Sequence, residues 1–113
     1  MNTLIRPMLY HAHHEIFLAN NLNSEKNLKT DIVGQICEST DIFAKDKEMP
    51  GVKENDILAI LNAGAYGFSM SSTYGCKPRA AEILVNKDKA ELIRKRQTIQ
   101  DLENNQIIPP RLK

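Results

Sequence analysis

The chain has 113 residues, 42% hydrophobic and 26% charged, a balance that supports one modest core and argues against disorder. Its net charge of +1 gives no general attraction to nucleic acid or acidic membranes, and its two cysteines cannot build a disulfide framework. No apolar run approaches the ~20 residues of a membrane helix and no secretion-signal core opens the chain, so a cytoplasmic location with reduced thiols is expected.

Residues 2–10 are mixed, and Pro7 holds Arg6 toward an extended or turn conformation, which argues against a continuous helix there. Residues 10–18, YHAHHEIFL, read as a strand of imperfect alternation. Residues 19–30 are rich in asparagine and lysine, with Leu22 and Leu28 as their sizeable apolar residues, the composition of a polar loop between antiparallel strands. A second strand is expected over 30–37, carried by Ile32, Val33 and Ile36, with Gly34 marking a bulge or a close backbone approach. Residues 44–56 are charged and contain the turn pair Pro50-Gly51. The continuous apolar run at 56–61 reads as a buried strand. Residues 63–72 suit a turn and a short helix. A further strand is expected over 80–85, a strand in preference to a helix over 91–96, and a helix over 97–104 with Ile99 and Leu102 on one face. Ile107-Ile108-Pro109-Pro110 ends regular structure. The sum is a mainly β fold, an antiparallel barrel or sandwich with short helices.

Two segments carry more chemistry than packing requires. The first is Gly34-Gln35-Ile36-Cys37-Glu38-Ser39-Thr40-Asp41. A free cysteine at a strand end commonly packs as a small hydrophobe. Adjacent strand residues face opposite ways, so Cys37 and Glu38 act together only where the segment is a loop entering a cleft. There Glu38 can bind an ammonium group and Cys37 can move a proton. The second segment, Ala63-Gly64-Ala65-Tyr66-Gly67-Phe68-Ser69-Met70-Ser71-Ser72, surrounds Tyr66 with glycine and alanine. Its small neighbours leave the ring and hydroxyl bare for an edge contact with a cofactor or phosphate, where a tyrosine would otherwise be core.

Arg6 and Tyr10 form a third candidate group: Arg6 is either a surface charge or a two-pronged clamp for a carboxylate. His11, His13 and His14 invite a metal reading, but only Glu15, on the strand face His11 and His13 would share, could complete a site, so exposed strand histidines are the preferred reading. The basic run 87–96 is broken by Asp88 and Glu91 and lacks aromatics, the pattern of a solvated face rather than a nucleic-acid site.

MNTLIRPMLYHAHHEI, GQICESTDIFAKD, LAILNAGAYGFSMSSTY, PRAAEILV and LIRKRQTIQDL together closely resemble the C-terminal part of the diaminopimelate decarboxylase family, whose members use pyridoxal phosphate in the last step of lysine synthesis. The resemblance runs from Met1 to about Leu102, and CESTD combined with AGAYGFSMSS is its most specific part. Ornithine and arginine decarboxylases look similar in outline but typically carry aspartate where Glu38 stands. The resemblance implies a two-part enzyme: an N-terminal (β/α)8 barrel holding pyridoxal 5'-phosphate on a lysine, and a C-terminal β-domain, here 1–106 with a tail at 107–113. It also implies a homodimer with sites at the subunit interface. On that basis Arg6 and Tyr10 bind a substrate carboxylate, and Tyr66 contacts substrate and the cofactor near its phosphate. Glu38 reaches the partner's site to hold the distal ammonium of meso-diaminopimelate. Cys37 donates a proton to the carbon that has lost carbon dioxide.

Some features depart from the family. Thr73-Tyr74-Gly75-Cys76-Lys77-Pro78-Arg79 stands where the pattern is close to xYNxRPR, a loss of one amide and one forked donor that is expected to loosen this loop. The barrel, its cofactor lysine and its glycine-rich phosphate loop have no counterpart here, and Met1 aligns with an internal methionine. The expectation is therefore a C-terminal fragment without decarboxylase activity of its own. Two alternatives are a non-catalytic interaction module that pairs with a related decarboxylase, and a domain of the ornithine or arginine type.

Overall fold

The computed structural model describes residues 4–112. Residues 1–3, with Met1 of the family alignment, and Lys113, the last residue of the expected tail, lie outside the described residues. Helix α1 spans Arg6–Tyr10, followed by strands β1 (Ile16–Leu18), β2 (Leu28–Val33), β3 (Ile42–Met49) and β4 (Leu58–Ile60). Helix α2 (Gly64–Gly67), a 3-10 turn at Tyr74–Cys76, strands β5 (Glu82–Asn86) and β6 (Lys89–Arg94), helix α3 (Ile99–Glu103) and a 3-10 turn at Pro110–Leu112 complete the order.

The strands form three separate antiparallel ribbons, β1 with β4, β2 with β3, and β5 with β6. Antiparallel β structure with short helices matches expectation. The ribbons do not close into a barrel among the described residues, because each strand has one neighbour where closure requires two. The core lies where the first two ribbons meet: Ile16, Ile32 and Met49 are buried, with Phe43, Ala44, Leu58 and Ile60 packed against them. Burial of side chains like Ile16 and Met49 is worth about 1.5–3 kcal/mol each. The β5–β6 hairpin, by contrast, exposes Ile83, Leu84, Val85, Leu92 and Ile93. The molecule measures 60 × 36 × 28 Å with a radius of gyration of 17.1 Å. A compact chain of this length would have roughly 13 Å.

Three local expectations are corrected. Pro7 does not keep Arg6 extended; it sits in the first turn of α1, where a missing N–H loses no helical bond. That helix closes at His11, whose left-handed φ of 55° turns the chain, with the Ala12 N–H donating to the Arg6 carbonyl at 3.3 Å. The strand expected from Tyr10 shortens to Ile16–Leu18, extended by Glu15 C=O accepting from the Leu61 N–H at 2.8 Å. Finally, the charged stretch after Phe43 is strand β3 up to Met49; Pro50-Gly51 only ends the strand, and the turn falls later, at Glu54–Asn55, closed by the Asp56 N–H donating to the Lys53 carbonyl at 3.1 Å. Strand β3 tolerates its charges because Lys47 runs over the ribbon to Glu15, Nζ to Oε1 2.9 Å, with its side chain 13% exposed. An irregularity near Ile32 accommodates Asp46 at φ 49°, its N–H donating to the Asp31 carboxylate at 2.8 Å.

Candidate active-site surface

Helix α1 places Arg6 and Tyr10 four residues apart, which is one helical face. The Arg6 guanidinium lies 3.8 Å from the centroid of the Tyr66 ring, a cation–π contact across two segments far apart in sequence. Its Nη1 lies 3.2 Å from Nε2 of His14. The other ring nitrogen of His14, Nδ1, lies 2.9 Å from the Leu61 carbonyl oxygen. Tyr10 is exposed at the end of α1.

Tyr66 sits in α2, which begins three residues after Leu61 and continues through the Met70 N–H donating to the Tyr66 carbonyl at 3.0 Å. Beside it Gly64 and Gly67 face open space. The Ser69 and Ser71 hydroxyls turn back to the carbonyls of Ala65 and Phe68, at 2.7 Å each, and so shape the segment locally.

The expected strand over 30–37 ends at Val33, and Cys37 and Glu38 lie on the loop that follows. Asp41, 2% exposed, organises that loop. Its Oδ2 accepts from the Ile36 N–H at 2.9 Å, its carbonyl from the Gly34 N–H at 2.7 Å, and its own N–H donates to the Glu38 carbonyl at 3.2 Å. Gly34 is the close approach that a glycine in a strand suggests: a Cβ there would overlap the Asp41 carboxylate. The Thr40 hydroxyl donates to the Glu38 carboxylate.

Glu38 and Thr40 from this loop, Met70, Ser72, Thr73 and Tyr74 from the second segment, and Ile5 at the head of α1 line one open cleft. The two motif segments thus share a surface, with Arg6 beginning immediately after Ile5. Cys37 is exposed and does not line that cleft. The loop carrying the departures from the family pattern contains two left-handed residues, Gly75 and Cys76. Gly75 has φ 66°, a left-handed position that asparagine and glycine both favour, and the Lys77 ammonium donates to Gln35 Oε1 at 3.3 Å. Arg79 is held by Gln97 on both sides, donating its N–H to Oε1 at 3.0 Å and accepting the Gln97 N–H at 3.1 Å, while its Nη2 donates to the Ser71 carbonyl.

The histidines separate in space. His13 is exposed and pairs with Glu15 at 3.2 Å, whereas His14 is 3% exposed, buried where an exposed strand residue was expected. It lies before β1 rather than within it, so strand alternation does not govern its direction. Among the described residues no three His, Cys, Asp or Glu side chains gather as a metal-ligand group. Also among them, no helix is long and apolar enough to cross a membrane. His14 and Asp41 are the residues that sequence reading missed. The single available signal for either was the oddity of an ionisable side chain beside the apolar runs it interrupts.

Antiparallel ribbons, short helices, an Arg6–Tyr66 cation–π contact and a separate cleft lined by Glu38 are the chain's distinguishing features. A family model described as "Pyridoxal-dependent decarboxylase, C-terminal sheet domain" matches residues 1–64, more than half of the chain, and the chain belongs to that family. Among its relatives, a diaminopimelate decarboxylase from Methanothermobacter thermautotrophicus is 48% identical over 111 residues, which cover 98% of this chain and 26% of the relative. One from Archaeoglobus fulgidus is 43% identical over 108 residues, 96% of this chain and 26% of the relative. The crystal structure of the M. jannaschii diaminopimelate decarboxylase in co-complex with L-lysine superposes with a TM-score of 0.89 at 38% identity, covering all of this chain and 26% of that one. The chain thus spans about a quarter of the length of the relatives it matches.

Proposed function

We propose that this chain supplies the substrate-binding and subunit-interface part of a diaminopimelate decarboxylase, which converts meso-2,6-diaminopimelate to L-lysine and carbon dioxide. The observation that supports the reading is a restrained cation, Arg6 against Tyr66, beside a separate cleft whose carboxylate, Glu38, is offered to the partner subunit's site. A diamino acid presents the complementary charges. Arg6, with Tyr10 on the same helical face, takes a substrate carboxylate by forked hydrogen bonds. Glu38 takes the distal ammonium, which selects diamino substrates. The presence of L-lysine in the M. jannaschii relative supports this ligand class.

The residues present fit one edge of pyridoxal 5'-phosphate. Tyr66 offers a hydroxyl, and its chain neighbours Gly64 and Gly67 border open space that would admit a phosphate. When bound, the cofactor supplies the electron sink for decarboxylation. The remaining contacts, its lysine included, belong to a (β/α)8 barrel that this chain covers. In this reading Cys37, exposed on the Glu38 loop, donates a proton in the site of a second subunit, and the active form is a homodimer. The exposed apolar β5–β6 hairpin and the elongated shape support association with further protein. In this arrangement residues 1–106 form the β-domain, 107–113 a tail, and the enzyme works in the cytoplasm.

The test is a hybrid in which this chain replaces the matched 111 residues of the Methanothermobacter relative. With pyridoxal phosphate it is expected to release L-lysine from meso-diaminopimelate, and Glu38→Ala is expected to remove most of that turnover. The chain alone is expected to release none. Turnover of ornithine in place of diaminopimelate, or an active Glu38→Ala hybrid, would defeat the proposal.

A further inference from the structure

His14 is buried at 3% exposure between α1 and the end of β4, and the direction of both its hydrogen bonds follows from its partners. The Leu61 carbonyl can only accept, so the proton is on Nδ1. In the neutral ring Nε2 then carries a lone pair, and the group 3.2 Å from it is Arg6 Nη1, which can only donate. A doubly protonated ring would set N–H against N–H at that contact. The Arg6 guanidinium is therefore restrained twice, over its face by the Tyr66 ring at 3.8 Å and at Nη1 by the imidazole lone pair. Among the described residues, Nε and Nη2 of Arg6 have no hydrogen-bond partner, so an edge of the fork stays available.

Leu61 is followed by Asn62, which turns the chain at φ 55°, and then by Ala63, the N-cap of the helix that carries Tyr66. One imidazole thus binds the Arg6 side chain and the backbone that aims Tyr66 at it. We propose that His14, as the neutral Nδ1–H tautomer, is the positioning residue that orients Arg6 for a substrate carboxylate. It acts through Arg6 and does not touch substrate. The inference rests on the functional reading above for the carboxylate, whereas the tautomer and the restraint on Arg6 stand independently of it.

Two conservative variants separate positioning from packing. His14→Asn keeps an N–H near the place of Nδ1 for Leu61 but offers no acceptor to Arg6. His14→Gln puts an oxygen near the place of Nε2 and keeps that acceptor. In the hybrid enzyme, His14→Asn is expected to raise KM for meso-diaminopimelate at least about tenfold, with a smaller change in kcat, as loss of a charged hydrogen bond predicts. His14→Gln is expected to stay closer to the parent. In the 15N-labelled full chain, long-range imidazole correlations are expected to show the Nδ1–H pattern for His14. Arg6 guanidinium rotation is expected to be slow in the parent and fast in His14→Asn. An Nε2–H tautomer, unchanged Arg6 rotation in His14→Asn, or equal effects of the two variants on KM would overturn the proposal. So would a general loss of the amide spectrum in both variants, which would make His14 a packing residue. An inactive parent hybrid with the spectroscopic results intact would count against the decarboxylase reading alone.

Discussion

Gly34 and Asp41 should behave as one unit, and a double-mutant cycle measures it. A methyl group at residue 34 would occupy the space of the Asp41 carboxylate. That side chain is short, 2% exposed and bonded to the Ile36 N–H at 2.9 Å, so it can swing aside only by giving up this bond. Gly34→Ala therefore loses what Asp41→Ala removes directly, a hydrogen bond to a charged acceptor worth about 1.5–3 kcal/mol. In the double variant the space for the methyl already exists, so its stability should match Asp41→Ala alone. Simple addition would instead give about 3–6 kcal/mol, and the coupling energy should be about 1.5–3 kcal/mol. Urea unfolding of the four proteins, compared through midpoints at constant slope, provides the assay. A Gly34→Ala protein within about 0.5 kcal/mol of the parent, or a double variant at the sum of the singles, would refute this account of the loop that presents Cys37 and Glu38.

Other outcomes follow from single contacts. The Lys47 ammonium hydrogen-bonded to Glu15, and after it His13, holds the Glu15 carboxyl below its ordinary range. Because the folded pKa is depressed, the contribution is complete above the unfolded value of roughly 4.3 and fades as pH falls through the folded one. A carbon-detected NMR titration should place the Glu15 midpoint low, and Lys47→Met should raise it; an unmoved midpoint would exclude the ion pair as the cause. Thr98 caps α3 with a reciprocal pairing to Asp101, whose carboxyl is lowered by the Thr98 N–H and then by its hydroxyl. Thr98→Ala should cost about 1 kcal/mol of local stability, read as faster amide exchange in α3; unchanged exchange would show that the cap is idle. At Gly75, with φ 66°, Asn should be nearly neutral while Val should cost about 1–2 kcal/mol in thermal or urea unfolding; equal costs would contradict the left-handed geometry.

The amino-acid sequence by itself determined the features whose causes are local or chemical. The apolar run around Leu58–Ile60, the glycine-rich Gly64–Gly67 turn and the short helix Ile99–Glu103 each carry their signal within a few residues. The CESTD and AGAYGFSMSS strings carried the resemblance to the family. Tertiary structure decided the rest. Helix α1 is five residues long, too short for a helical period, and Pro7 reads as a breaker until its place in the first turn is known. Strand β3 looks like a charged loop because its Lys47 finds Glu15 only after β1 and β3 have come together, 32 residues apart in sequence. Asp41 and His14 are polar residues whose burial depends on partners supplied by the fold: a loop closing on itself over Gly34, and a carbonyl at Leu61. Residue type limits what bonds a side chain can make, but only the packed chain determines which partner arrives and on which side.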